Sequence, residues 1–303
     1  MNKENFRQNG LFRDWFLASR PWSFAMTLIS VGVGAAVAAT VGSFSWILFV
    51  LTLVGMVSVH AATNLINDYY DVKSNVDSAE AATALYRPHP LVEGKLRPED
   101  VRKVAYSLFL LGAVIGILLT LLRGWPILGI AAVGLLASLA YSVPPISYKY
   151  IGLGEFSVFL MWGPLMVEGS YFVQQQAFSL DALFISIPFG VLVALVLLAN
   201  NLRDIAHDKS RNIRTIAIIL GEKKGFYLYA GLISLAYASI LAMIACGVLP
   251  LWSIVIFACL PLAIKIFRIM TEKIPDDADA RTAQLDTAFG ALLLLSLILE
   301  ALV

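Results

Sequence analysis

Runs of about 20 apolar residues, separated by short polar stretches, recur along this chain from Trp22 to its C-terminal end. A helix needs about that length to cross the hydrocarbon core of a bilayer. Nine runs qualify: 22–41, 45–68, 100–122, 124–142, 152–173, 180–203, 223–247, 250–270 and 284–303. Two of them end in clusters of Asn and Asp. Asn64, Asp68 and Asp71 close the second run at i, i+4 and i+7, one face of a helix. Asn200, Asp204 and Asp208 close the sixth at i, i+4 and i+8, again one face. The pattern predicts an all-α polytopic membrane protein with nine transmembrane helices around a central cavity. The stretches 72–99 and 204–222 are long connections bordering the two motifs and are expected to cap it.

Composition agrees. The 303 residues are 59% hydrophobic and only 14% charged, against about 25% charged in soluble domains. The first 20 residues have no apolar h-region, so no cleavable signal peptide is expected there. Cys246 and Cys259 fall within predicted spans and read as small core residues. With nine spans, 21 of the 22 Lys and Arg residues fall on the side of the N-terminus, Arg123 being the exception. The positive-inside rule then places the N-terminus and both acidic motifs in the cytoplasm and the C-terminus opposite. Such a protein is expected in the cell membrane, with the bilayer and not nucleic acid as its surroundings.

Asp68 and Asp204 lie 136 residues apart, each preceded four positions earlier by Asn. This spacing suggests one domain, 1–303, of two similar four-helix halves plus a ninth helix, with the ligand between the halves. Carboxylates at a helix C-terminus oppose its dipole, so packing stability does not account for them. Facing oxygen clusters suit Mg²⁺. Two Mg²⁺, replaceable by Mn²⁺, would neutralise a diphosphate and help it leave carbon. The expected metal ligands are Asn64, Asp68, Asp71, Asn200, Asp204 and Asp208.

These motifs resemble the two aspartate-rich motifs of the UbiA superfamily of intramembrane prenyltransferases. The likeness extends to Arg87-Pro88-His89-Pro90 with Gly94-Lys95, and to Tyr141-Ser142-Val143-Pro144-Pro145 with Lys149. One departure concerns the family's last Asp of the first motif. Its position holds Asn75, and the next acid is Asp77. Asn67-Asp68-Tyr69-Tyr70-Asp71, Asn200-Asn201-Leu202-Arg203-Asp204 and Arg214-Thr215-Ile216-Ala217 resemble the branch that prenylates 1,4-dihydroxy-2-naphthoate in menaquinone synthesis. The resemblance implies a UbiA-like fold and a polyprenyl diphosphate donor. On the naphthoate branch it also implies loss of the ring carboxylate. Acceptors such as 4-hydroxybenzoate or a glycerol-phosphate ether lipid remain open. So does a cation-coupled transporter, although transport sites sit near the midplane and these acids sit at helix ends.

Arg87, Lys149, Arg203 and Arg214 are the candidate diphosphate-binding cations, with Lys95 beside them. The alternative is that they are only the basic excess of cytoplasmic loops. Tyr141 and Tyr148 are the aromatic candidates for shielding a carbocation. His60 either lines the cavity or packs, and Glu168 is either functional or a structural hydrogen-bond acceptor. His89 and His207 read as loop residues.

Overall fold

The computed structural model describes residues 3–42, 44–77 and 88–303, the side chains of 3–9 excepted. Among these the chain is helical, without strands. An N-terminal helix α1 (Lys3–Ala18) precedes α2 (Phe24–Val41), α3 (Trp46–Lys73), α4 (Pro98–Arg123) and α5 (Pro126–Ser142). Then follow α6 (Gly154–Gln175), α7 (Leu180–Arg203), α8 (Glu222–Ala245), α9 (Leu251–Glu272) and α10 (Ala278–Leu302). Among the described residues eight helices, α2 to α4 and α6 to α10, are long and apolar enough to cross a membrane. The expected span 124–142 appears as α5, whose 17 residues give a length of about 26 Å.

Local chemistry sets the helix boundaries. Ser45 and Ser179 cap α3 and α7, their hydroxyls accepting from Leu48 N at 3.4 Å and Ala182 N at 3.2 Å. Pro98 and Pro126 occupy first-turn positions where no N–H is needed. Glu168, towards the far end of α6, accepts from Ser179 N at 3.3 Å, which supports its structural role. Within α6 the chain kinks at Gly163-Pro164, where the helix widens to a π turn. Gly163 and Gly190 allow α6 and α7 to touch there. A Cβ added to Gly190 would lie 2.8 Å from Gly163 Cα.

The centre of the bundle is α7, which packs on α2, α6, α8 and α10. It is 72% buried over its most apolar window, against 28% for α4. The outer helices leave Leu110, Val114, Leu121, Leu128 and Leu136 exposed, a surface suited to lipid. The structure extends two expected elements. The second span runs on to Lys73, so Asp68 and Asp71 are helical. The ninth starts at Ala278, which brings Asp279 to the site. The expected cap 204–222 is largely helical, at Ile205–Ser210 and Ile216–Leu220. Thr215 caps the latter, accepting from Ile218 N, and the apolar Ile216–Leu220 run gives it a buried face at Ala217. Part of the other expected cap, 78–87, lies outside the described residues.

Candidate active site

The ends of α3 and α7 meet around a cavity of about 550 Å³. Asn64, Asn67, Asp71 and Asp77 line one side, and Asn200, Asn201, Asp204 and Asp208 the other. A third segment crosses between them. The turn Tyr148–Ile151 ends at Gly152 in the left-handed region (φ 82°), where a Cβ would meet Ile219 Cδ1 at 2.8 Å. That turn carries Lys149 and Tyr150 to the cavity wall. Tyr150 O accepts from Arg214 N at 3.0 Å, tying the turn to the segment after α7.

In the first motif every carboxylate is engaged by a protein donor. Lys149 Nζ donates to Asp71 Oδ1 and Asn67 Oδ1, each at 2.6 Å. Tyr150 Oη donates to Asp71 Oδ1 as well. Asn67 Nδ2 donates to Asp71 Oδ2 at 2.9 Å, and Ser142 Oγ donates to Asn67 Oδ1 at 2.9 Å. Asp68, expected among the metal ligands, is buried behind the wall and ion-paired with Arg20, which itself lines the cavity. Arg20, arriving from the segment that precedes α2, draws it away from the wall. His89 is buried beside it, 3.9 Å from Asp68 Oδ2 and 3.1 Å from Asp77 Oδ2.

These contacts set the charges. Burial disfavours the Arg20 guanidinium, but the carboxylates of Asp68, Asp77 and Asp71 more than compensate and its pKa is raised. Burial acts against the His89 imidazolium too, yet the Asp77 hydrogen bond and Asp68 raise its pKa. Against the opposing effect of burial, the His89 hydrogen bond and charge hold Asp77 below the usual carboxylate range. Burial, then the Asp71 carboxylate, raises the Tyr150 phenol, so it remains a donor.

The second motif is arranged differently. Arg203 grips Asp204 with two hydrogen bonds, at 2.8 and 2.7 Å, and reaches Asn200 Oδ1 and Asp279 Oδ1, both at 2.7 Å. Expected to bind diphosphate, Arg203 is in this structure a buried clasp between α7 and the start of α10. Among the described residues no side-chain hydrogen bond or ion pair reaches the Asp208 carboxyl. Burial and the neighbouring Asp204 push its pKa up to about 7.

Other expected residues separate clearly. Tyr141 lines the cavity. Tyr148 sits behind it at 5.5 Å between ring centroids, its hydroxyl bonded to Ala137 O and Ser157 Oγ. The Arg214 side chain is exposed and away from the wall, because its backbone pairs with Tyr150. Lys95 pairs with Glu93, and Arg87 lies outside the described residues. His60 lines the cavity with both ring nitrogens bonded, to Ser23 Oγ at 3.2 Å and Thr27 Oγ1 at 2.8 Å. His207, read as a loop residue, faces the cavity and donates from Nε2 to Val76 O at 2.9 Å, joining the two motif loops. Sequence reasoning passed over Asn67, Arg20 and Tyr150. The i, i+4 spacing of Asn67 to Asp71 was a usable signal, whereas Arg20 meets a partner 48 positions away.

The two motifs bring hard oxygen donors to the cavity, and Asp204 and Asp208 place like charges together, which suits a divalent cation. A bundle of helices long and apolar enough to cross a membrane, with two acidic helix ends over one cavity, fits a membrane-embedded enzyme. The UbiA prenyltransferase family profile matches residues 27–293. The chain belongs to that family, which makes it an integral membrane prenyltransferase and removes the transporter alternative. It is 32% identical to the UbiA prenyltransferase domain-containing protein 1 of Dictyostelium discoideum, covering 91% of this chain and 84% of the relative. It is 27% identical to the 1,4-dihydroxy-2-naphthoate octaprenyltransferase of Bacillus subtilis, covering 93% and 91% respectively. Its fold matches that of a UbiA homolog from Archaeoglobus fulgidus bound to GPP and Mg²⁺, with TM-score 0.64, 14% identity, and 93% and 99% of the two chains covered.

Proposed function

We propose that this enzyme transfers a polyprenyl chain from its diphosphate to an aromatic acceptor, 1,4-dihydroxy-2-naphthoate, at the cytoplasmic face of the cell membrane. The observation that carries this reading is the convergence of both acidic motifs, Lys149 and Arg20 on one cavity. The similarity to the Bacillus naphthoate enzyme supports the acceptor. The basic excess on the side of the motifs supports the orientation. Under this reading residues 1–303 form one domain, each half supplying one motif.

Asn64, Asn67, Asp71 and Asp77 would hold one Mg²⁺, and Asn200, Asp204 and Asp208 the other, with Mn²⁺ able to substitute. Bound there, the two ions supply Lewis acidity that neutralises the departing diphosphate. Lys149 and Arg20 add fixed positive charge for its oxygens, and Arg87 belongs with them by its motif. Arg203 fixes the Asp204 carboxylate and so sets the second motif's geometry. Tyr141 and Tyr150 present aromatic rings close to Lys149 and would stabilise an allylic cation formed as the C–O bond breaks. The electron-rich ring then forms the new C–C bond to the allylic carbon, and loss of the ring carboxylate as CO2 restores its aromaticity. The strap from His207 to Val76 would hold the mouth closed against water, which would otherwise capture the cation.

The test uses purified protein, labelled geranyl diphosphate, Mg²⁺ and three acceptors: the naphthoate, 4-hydroxybenzoate and glycerol phosphate lipid. Prenylation of the naphthoate alone is expected. Transfer only to another acceptor would overturn the acceptor assignment.

A further inference from the structure

Among the described residues four asparagines line the polar cavity, and their amides are not equivalent. Asn67 Oδ1 accepts from Lys149 Nζ and Ser142 Oγ, and Asn200 Oδ1 accepts from Arg203 Nη2 at 2.7 Å. Asn64 Nδ2 donates to Ser19 O at 3.0 Å and to Ser23 Oγ at 3.2 Å, which leaves its carbonyl for the ion assigned to the first motif. Asn201 stands outside that scheme. It is off the Asn200–Asp204–Asp208 row and is only 7% exposed. Its Nδ2 donates to Glu155 Oε1 at 2.9 Å. Among the described residues no hydrogen bond reaches its Oδ1.

Glu155 dictates that orientation. It lies in the first turn of α6, only 6% exposed, next to Gly154 of the cavity wall. Its second oxygen, Oε2, is buried without a hydrogen-bond partner. A carboxylate can only accept, so it takes the NH₂ end of the Asn201 amide and leaves the carbonyl end for the cavity. Gly154 lets α6 come this close to α7, since a Cβ there would lie 3.1 Å from Leu197 Cδ2. An ionisable group held inside a transmembrane bundle points to function. Trp162 Nε1, also unpartnered on this wall, is a donor and cannot receive a hydroxyl proton. One to two turns deeper than Asn201 along α7 the wall is apolar, lined by Val193, Val196 and Leu197 with Val158 of α6.

We propose that Asn201 Oδ1 is the docking point for a ring hydroxyl of the aromatic acceptor, and that Glu155 is the positioning residue that turns this carbonyl into the cavity. The proposal rests on the acceptor reading given above. A hydroxylated aromatic ring carries an O–H donor at its edge and flat hydrocarbon faces. The free carbonyl receives the first, and the valine and leucine side chains pack against the second. A neutral amide accepts the hydroxyl without adding charge beside the diphosphate site.

The experiment measures by calorimetry the Kd of 1,4-dihydroxy-2-naphthoate and of its two mono-methyl ethers. The full chain is used, with Mg²⁺ and a non-ionisable allylic diphosphate analogue bound. One ether should bind the unaltered enzyme at least ~10-fold more weakly than the parent compound, the scale of one lost hydrogen bond. Asn201→Leu removes the carbonyl and should bring that ratio close to one. Glu155→Gln can offer its own NH₂ to Asn201 Oδ1 and reverse the amide, so it should lower the ratio by a smaller factor. It also serves should Asn201→Leu fail to fold. In both variants the naphthoate affinity should change more than that of the diphosphate analogue, which a general loosening of the α6–α7 contact would not produce. Gly231→Leu, on α8 with nothing within 4 Å of its Cβ, is the control and should leave every Kd unchanged. Equal binding of all three compounds to the unaltered enzyme would overturn the proposal, as would an unchanged ratio in both variants. The naphthoate reading would survive either result. Failure of the unaltered enzyme to bind the naphthoate would overturn that reading, and the docking point with it.

Discussion

The two acidic motifs look alike in sequence, yet the structure treats them differently. At the end of α3, Asp68, Asp71 and Asp77 are met by Arg20, by Lys149 with Tyr150, and by His89. At the end of α7, Asp204 is held by its neighbour Arg203, while among the described residues Asp208 has no such partner. The first motif is therefore neutralised by the protein and must exchange or share those cations when an ion arrives. The second is short of positive charge, and burial leaves Asp208 titrating at about 7. An incoming divalent ion gains more there. On the proposed two-ion reading, the second motif would bind the tighter ion and the first would respond to the diphosphate.

The largest effects should come from the carboxylates on the cavity wall. Asp71→Asn, Asp204→Asn and Asp208→Asn should each lower kcat by ~100-fold or more, the scale of losing a major electrostatic element. Asp68→Asn, which acts through Arg20, should lose less and should mainly raise the donor KM. Initial-rate measurements at saturating Mg²⁺ separate the two cases. Equal kcat losses at Asp68 and Asp208 would break the distinction between the wall and the layer behind it.

Lys149 offers an effect of opposite signs. Lys149→Met removes a diphosphate contact and should weaken donor binding by about 1.5–3 kcal/mol, the range for hydrogen bonds to charged groups. It also frees Asp71, so Mg²⁺ should bind the donor-free protein more tightly than it binds wild type. Calorimetric titrations of donor and of Mg²⁺ would show both. Arg87→Ala should share the donor effect without the gain in metal affinity.

Metal binding at the second motif should depend on pH. Below about pH 7 the Asp208 carboxyl is protonated and a divalent ion must displace that proton. Mg²⁺ affinity of the donor-free protein should fall about tenfold per pH unit below 7 and level off above it. Asp204→Asn removes the neighbouring like charge and should move that break to lower pH.

The smallest effect concerns the loop around His89. Its raised pKa means that its ion pairs stabilise the fold fully below the unfolded value of about 6.5. That contribution is lost as pH rises through the folded value. His89→Asn should cost about 1–3 kcal/mol at low pH, and thermal unfolding should show the gap from wild type narrowing as pH rises.

Much of this site was legible from spacing. A one-face run of Asn64, Asp68 and Asp71 announced a polar helix end, and the resemblance of Lys149's segment announced its partner. What spacing could not show was which carboxylates point at the cavity. Asp68 and Asp71 share a helix face broadly, but the choice between wall and interior depends on Arg20, which arrives from the segment before α2. The same holds for Arg203. Its place in the motif suggests a ligand for diphosphate, while the start of α10 brings Asp279 and turns it into a clasp. Asp77, two positions beyond the family's spacing, nonetheless reaches the cavity because the chain leaves the α3 helix at Ser74 with Asn75 in the left-handed region. Contacts between distant segments decided these cases.

The central claim, two ions divided between two unequal motifs, is tested most directly by counting Mn²⁺. Electron paramagnetic resonance would measure bound Mn²⁺ per chain in the presence of a non-ionisable allylic diphosphate analogue. Two ions are expected for wild type and one for Asp71→Asn. The Asp204→Asn/Asp208→Asn pair should also hold one, with the weaker affinity of the first motif. A single ion in wild type, or an unchanged count of two when both second-motif carboxylates are removed, would contradict the account.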